Sequence, residues 1–270
     1  MHCWGVRGSL PVSGPEFQRY GGNTFCIEVQ CGDHRLLFDA GSGLHPAARA
    51  MMREGVKTYN LFFTHCHYDH IIGLPFFYPM YMPDNRVDVW AGHLGNTMTT
   101  QEMMDAFIRP PWFPVRMEVC RSCIDFHDFT AGQTLTVAPG LVLKTAPLNH
   151  PGNSTGYRID WEGRSFAIIS DTEHAPDGSL DENVLRLIEG VDLFIYDCMY
   201  VDEEMEKYRG FGHSTWTHAI RLARAAGARK VGFVHHSPMR TDEELDEIAR
   251  QAARTSPGAF PVPDGATYFL

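Results

Sequence analysis

His65-Cys66-His67-Tyr68-Asp69-His70 packs three histidines and an aspartate into six residues. Immediately before it runs Asn60-Leu61-Phe62-Phe63-Thr64, an apolar stretch of strand length. Side chains alternate along an extended backbone, so His65 and His67 point the same way and can chelate one ion, while Cys66 points elsewhere, into packing. Beyond the turn, Asp69 and His70 come within reach of a second position. Neutral imidazole nitrogens with carboxylate oxygens suit zinc, manganese or iron. A hydrogen-bonding polar loop would account for one histidine after a strand. It does not account for four ligand-type side chains in six residues.

Other His and Asp residues stand where further apolar runs give way to loops. His150 follows Leu141–Ala146, Asp171 follows Ile168-Ile169-Ser170, and His235 with His236 ends Val231-Gly232-Phe233-Val234. Strand-like runs also cover Phe25–Gln30, Arg35–Asp39, Arg86–Ala91, Gly156–Asp160, Ser165–Ser170, Leu193–Asp197 and Ala266–Leu270. Ser179 with Glu182 and Thr241 with Glu244 fit the capping-box pattern of a helix start, and Thr215–Ala226 reads as a helix ended by Gly227. Strands dominating each half, with helices between or after them, predict two packed sheets with helices outside, as one domain over residues 1–270. Residues 74–130 are the least regular, with PFFYPMYMPDNR and FIRPPWFPVRM dense in aromatics, Met and Pro. They read either as an apolar lid over a pocket or as loop packing along a sheet edge.

Composition narrows the partners. The chain of 270 residues is 44% apolar and 21% charged, with a net charge of −10. That field repels phosphate backbones and counts against a large nucleic acid as the main ligand, unless a local basic patch overrides it. Seven cysteines are scattered without framework spacing, and Cys120-Arg-Ser-Cys123 has no second pair, so all are expected to be ordinary thiols. With no signal-like or membrane-length apolar run, the expectation is a reduced, cytoplasmic protein without a membrane partner, a homodimer remaining open.

The order His65, His67, Asp69, His70, His150, Asp171, His235 resembles the metallo-β-lactamase superfamily over nearly the whole chain. The resemblance implies an α/β fold, the αβ/βα four-layer sandwich, around a binuclear site for two divalent transition metals, zinc or manganese first and iron next. It implies that His65, His67 and His150 hold one metal and that Asp69, His70 and His235 hold the other, with Asp171 bridging. His236 is adjacent and is the alternative to His235. Two close cations acidify a bridging water and clamp substrate oxygens, which makes hydrolysis the natural chemistry.

Phe211-Gly212-His213-Ser214-Thr215 resembles the His-Ser-Thr loop of the phosphodiesterase branch, which includes ribonuclease Z and cyclic phosphodiesterases. By that resemblance His213 contacts the scissile phosphate and protonates the leaving oxygen, and Asp197, at the end of Leu193–Asp197, orients it; Asp69 joins them in the catalytic set. No basic, Gly/Pro-rich insertion like the tRNA-gripping arm of ribonuclease Z is present. The expected substrate is therefore a small phosphodiester, cyclic ones included, rather than tRNA. A carboxylic-ester, thioester or lactone hydrolase on the same scaffold is the alternative.

Overall fold

The computed structural model describes residues 1–270. Strands β1 (His2–Gly5), β2 (Cys26–Cys31), β3 (His34–Phe38), β4 (Thr58–Phe63), β5 (Arg86–Ala91) and β6 (Cys123–Asp128) form one sheet in that order. Its first pairings are antiparallel and β3 to β6 run parallel. Strands β7 (Thr134–Ala138), β8 (Leu141–Leu148), β9 (Ser154–Trp161), β10 (Arg164–Ile169), β11 (Leu193–Asp197), β12 (Val231–Val234) and β13 (Ala259–Pro261) form the second. Here β7 to β10 are antiparallel and β10 to β13 parallel, so the second sheet repeats the plan of the first.

Strand periodicity builds the layers. In β4, Tyr59, Leu61 and Phe63 face one apolar core while Phe62 faces another; in β11, Phe194 and Tyr196 separate from Leu193 and Ile195 in the same way. Period 2 on strands buried on both faces leaves each sheet between two apolar layers. The central core joins the sheets through Phe38, Phe62, Tyr157, Phe166 and Ile195. Outside the first sheet pack α1 (Leu44–Arg53), the single turn α2 (Tyr68–Ile71) and α3 (Thr100–Phe107). Outside the second lie α4 (Glu182–Ile188), α6 (Trp216–Ala226) and α7 (Asp242–Thr255), while the single turn α5 (Met205–Tyr208) packs with Met199 and Tyr200. The result is the αβ/βα sandwich.

Differences from the sequence reading have local causes. Helix α4 is capped by Asp181, whose carboxylate accepts the Asn183 and Val184 amides, and not by Ser179. Asp181 stands directly before the first turn, where an acceptor reaches the free amides best. Thr241 and Glu244 do form a reciprocal capping box, and Thr215 caps α6 before Gly227 closes it at φ 64°. Ala266–Leu270 is not a strand; it keeps only a bridge between Thr267 and His2. Within residues 74–130, β5 and β6 are sheet strands, and Leu74, Phe77 and Met80 are buried in the core beneath α1 and α3.

Tyr157 ties the layers at the functional end. From β9 its buried hydroxyl donates to the Phe63 carbonyl, 2.5 Å away, at the last residue of β4. Tyr157→Phe is expected to lower the unfolding free energy by about 1 kcal/mol, the usual net worth of one such bond. Urea denaturation checks this, and an unchanged midpoint would contradict it.

Candidate metal centre

Every residue of the cluster stands on a short segment leaving the end of a strand. β4 leads into His65–His70, β8 into His150, β10 into Asp171, β11 ends in Asp197, and β12 leads into His235. Parallel strands end on one side of a sheet, so these loops converge at the same rim. Asp171 and His235 adopt left-handed backbone, φ 50° and 59°, as does Asp39 at the end of β3, φ 61°. Asp tolerates this region better than most residues, and such conformations concentrate where geometry is imposed by a site.

The donors fall into two groups, and a third, Asp171, Asp197, His213 and His235, overlaps the second. His65, His67 and His150 offer one nitrogen each, and Asp69, His70, Asp171 and His235 form a second set, all donor atoms of a set lying within 4.8 Å of one another. Asp171 lies between them. Its Oδ2 is 3.7 Å from His65 Nε2, 3.9 Å from His150 Nε2 and 3.3 Å from His235 Nε2, and its Oδ1 is 3.2 Å from His70 Nε2. Asp69 Oδ2 is 3.1 Å from His235 Nε2 and 3.3 Å from His70 Nε2.

Ring orientation is set from behind. His70 Nδ1 donates to Asp39 Oδ2 at 2.9 Å, and His150 Nδ1 donates to the Gly212 carbonyl at 2.8 Å. In each the Nε2 lone pair is left for the centre, the arrangement by which a ligating imidazole is held. The Nε2 of His65 is buried and has no partner in the protein. His67 Nδ1 and His150 Nε2 are 3.1 Å apart, and the Nε2 atoms of His70 and His235 are 3.3 Å apart. Imidazole lone pairs converging this closely repel unless a proton or a cation stands among them. The donor set therefore fits divalent metal ions of the nitrogen- and oxygen-binding kind.

The electrostatics follow the same lines. Burial would push the Asp171 carboxyl up, but His235, His70 and His65 around it hold it well below the usual carboxylate range. Asp69 behaves likewise beside His70 and His235. Burial pushes His65 well down, with His70 adding to the effect. Against burial, Asp171, Asp69 and Asp39 hold His70 well up.

His235 is in the cluster. His236 turns away, its Nε2 bonded to the Val262 carbonyl at 3.0 Å. Beside the centre, His213 Nδ1 donates to Asp197 Oδ2 at 2.8 Å and lies 3.9 Å from Asp171 Oδ2, with Asp197 wholly buried. In the opening segment, the Ser9 amide donates to Asp69 Oδ2 at 2.7 Å. Arg7 is instead committed to the carbonyls of Gly21, Ser237 and Arg240. Asn23 accepts from the Ser42 hydroxyl and Ser154 donates to the Ser170 carbonyl, while the Thr155 amide donates to the Thr64 carbonyl.

In the sequence Asp39 appears only as the last residue of the strand-like run Arg35–Asp39. Its carboxylate accepts the Thr64 amide, the Thr64 hydroxyl and His70 Nδ1, which fixes the loop's first turn. The signal that marks Asp171 and Asp197, an aspartate ending an apolar strand, would have found it.

The sequence model of the Beta-lactamase superfamily domain matches residues 34–236. Ribonuclease Z from Haloarcula marismortui is 26% identical over 92% of this chain and 89% of its own length. Among solved structures, the metallo-β-lactamase fold protein YhfI from Bacillus subtilis superimposes with TM-score 0.73 at 18% identity, covering 98% of this chain and 96% of that one. Human tRNase Z, short form, superimposes with TM-score 0.67 at 18% identity, covering 100% and 98%. The chain belongs to the metallo-β-lactamase superfamily, in its phosphodiesterase branch. It is a metal-dependent hydrolase of the phosphodiesterase type.

One expectation is corrected by these relatives. Net charge counted against a large nucleic acid as partner, yet the relatives that cover most of the chain bear the name of a ribonuclease, and a tRNase superimposes throughout. Total charge describes the field far from the molecule; within about 10 Å of a site, local groups and bound cations set it. No helix is long and apolar enough to cross a membrane.

Asp39→Ala is expected to weaken metal binding by about 10–100-fold, the usual effect of removing a group that orients a ligating histidine. Chelator competition measures it; unchanged affinity would show that His70 does not depend on Asp39.

Proposed function

We propose that the chain is a binuclear phosphodiesterase in which His213 acts as general acid, oriented by Asp197. In this reading one domain, residues 1–270, carries the site, with part of residues 74–130 flanking its approach. His65, His67 and His150 would hold one divalent ion, zinc or manganese, Asp69, His70 and His235 the other, and Asp171 both. When bound, such a pair acidifies a water to supply the nucleophile and neutralises charge on the phosphoryl oxygens. The observation that carries the reading is the His213–Asp197 pair beside the donor cluster.

The chain's own residues then divide the work. Asp197 accepts from Nδ1 of His213, which leaves Nε2 to carry a proton to the leaving oxygen. A carboxylate behind the ring also stabilises its cationic form, as a general acid requires. Burial lowers the His213 pKa, but Asp197, then Asp171 and Asp69, outweigh it and bring the ring to about 9. His213 is thus protonated at neutral pH and loses its proton as pH rises through that value. Tyr200 packs edge-on against the ring, 5.9 Å between centroids, and limits its swing.

A small phosphodiester, cyclic ones included, is the first substrate class in this reading. In support, four large apolar or aromatic side chains, Leu10, Tyr68, Phe211 and Met239, are exposed in or beside the site loops. RNA is the second reading, favoured by the names of the relatives.

Metal-loaded protein is expected to turn over bis-p-nitrophenyl phosphate. A panel of 2′,3′- and 3′,5′-cyclic nucleotides, phosphoribosyl cyclic phosphate and precursor tRNA then sorts the phosphodiesters. Turnover confined to lactones or thioesters would overturn the proposal. His213→Ala is expected to cut kcat by about 10²–10⁴-fold with metal content unchanged. The wild-type rate should decline on the alkaline side as His213, held up chiefly by Asp197 against burial, loses its proton, and this limb should vanish in the variant. Loss of metal from the variant would instead place His213 among the ligands.

A further inference from the structure

Glu173 belongs to neither donor set, yet three site loops meet on it. Its Oε2 accepts the Gly210 amide at 2.8 Å and the Gly212 amide at 2.9 Å, and its Oε1 shares the Gly210 amide at 3.1 Å. Its backbone amide donates to the Asn149 carbonyl at 2.8 Å, and Asn149 Nδ2 returns a bond to the Glu173 carbonyl at 2.8 Å. The residue thus joins the loop after Asp171, the segment bearing His150 and the loop bearing His213. Beyond it, the Gly212 carbonyl is the acceptor that holds Nδ1 of His150.

The contact at Gly212 leaves little slack. Gly212 has φ 87°, a region that other residues avoid, and a Cβ there would stand 2.2 Å from His150 Nδ1. Backbone is pressed directly against the imidazole, so a small movement of the loop displaces both the His150 acceptor and the neighbouring His213. Arg209, in the same loop, reaches the other oxygen, Oε1, only at 3.7 Å and donates to the His174 carbonyl at 2.8 Å. Oε2 is the oxygen common to the two amides, and Oε1 shares only that of Gly210.

We propose that Glu173 is a positioning residue that sets the Gly212 carbonyl against His150, so that one carboxylate oxygen fixes both the tautomer of a metal-ligating ring and the placement of the acid-bearing loop. The inference rests on the proposed assignment of His150 to the metal centre, but not on the identity of the substrate. Because one oxygen, Oε2, joins both amides, and Oε1 adds only a longer bond to the Gly210 amide and the 3.7 Å approach of Arg209, reach is the property on which the arrangement depends. Glutamine keeps that oxygen, whereas aspartate keeps the charge but is one methylene short.

The test is metal affinity by chelator competition on the full chain, with kcat and KM on a phosphodiester as the second readout and the melting temperature of the metal-free protein as folding control. Glu173→Asp is expected to weaken metal binding by about 10–100-fold and to lower kcat with KM little changed, whereas Glu173→Gln stays within about twofold of the parent in all three. If Glu173→Gln loses as much as Glu173→Asp, the carboxylate acts through its charge or its proton and the proposal is wrong. Unchanged affinity in Glu173→Asp would also overturn it. Because chelator competition needs no substrate, inactivity on phosphodiesters would count against the proposed reaction and leave this inference standing.

Discussion

Four carboxylates, Asp39, Asp69, Asp171 and Asp197, are buried with the imidazoles of His65, His70, His150, His213 and His235 at one end of the sandwich. Charge taken out of water is strongly unfavourable unless it is paired and hydrogen-bonded. Protein groups meet part of that demand. Asp39 is satisfied by Thr64 and His70, and Asp197 by His213 and the backbone amides of Thr172 and Met199. Asp69 and Asp171 remain facing inward with converging imidazole nitrogens. That residual demand, for positive charge at the centre, is what the rest of the architecture serves.

The scaffold meets it by placement. Two sheets of like plan bring their loop ends to one rim, and each strand delivers one or two side chains from a rigid base. Behind the donors stands a ring of orienting contacts: Asp39 on His70, Asp197 on His213, the Gly212 carbonyl on His150. Gly8 fits against His235, where a Cβ would lie 2.4 Å from Nδ1. The opening residues, far from His235 in sequence, therefore close one wall of the centre.

The fold and the donor cluster were legible because their signals are dense and local. Apolar runs such as Leu193–Asp197 and Arg86–Ala91 coincide with strands, and the ligand-type residues sit where those runs stop. Weaker elements were not legible. β1 has four residues, β13 ends in a proline at a sheet edge, and β6, Cys-Ile-Asp-Phe-His-Asp, is partly exposed with polar residues on alternate positions. Their strand character comes from the neighbours they pair with, which a single-chain pattern does not contain. Orienting contacts were hidden for a similar reason. Gly212 acts through a carbonyl, and Asp39 acts on a loop more than twenty residues away. Bulk charge misled for a different reason: it sums over a surface that the site does not see.

Anomalous diffraction at the zinc or manganese edge, from crystals of metal-loaded protein, examines the central claim most directly. Two peaks a few ångströms apart are expected, one among His65, His67 and His150 and the other among Asp69, His70 and His235, with Asp171 touching both. A cluster without ordered ions after loading, or ions bound only elsewhere on the chain, would contradict the account.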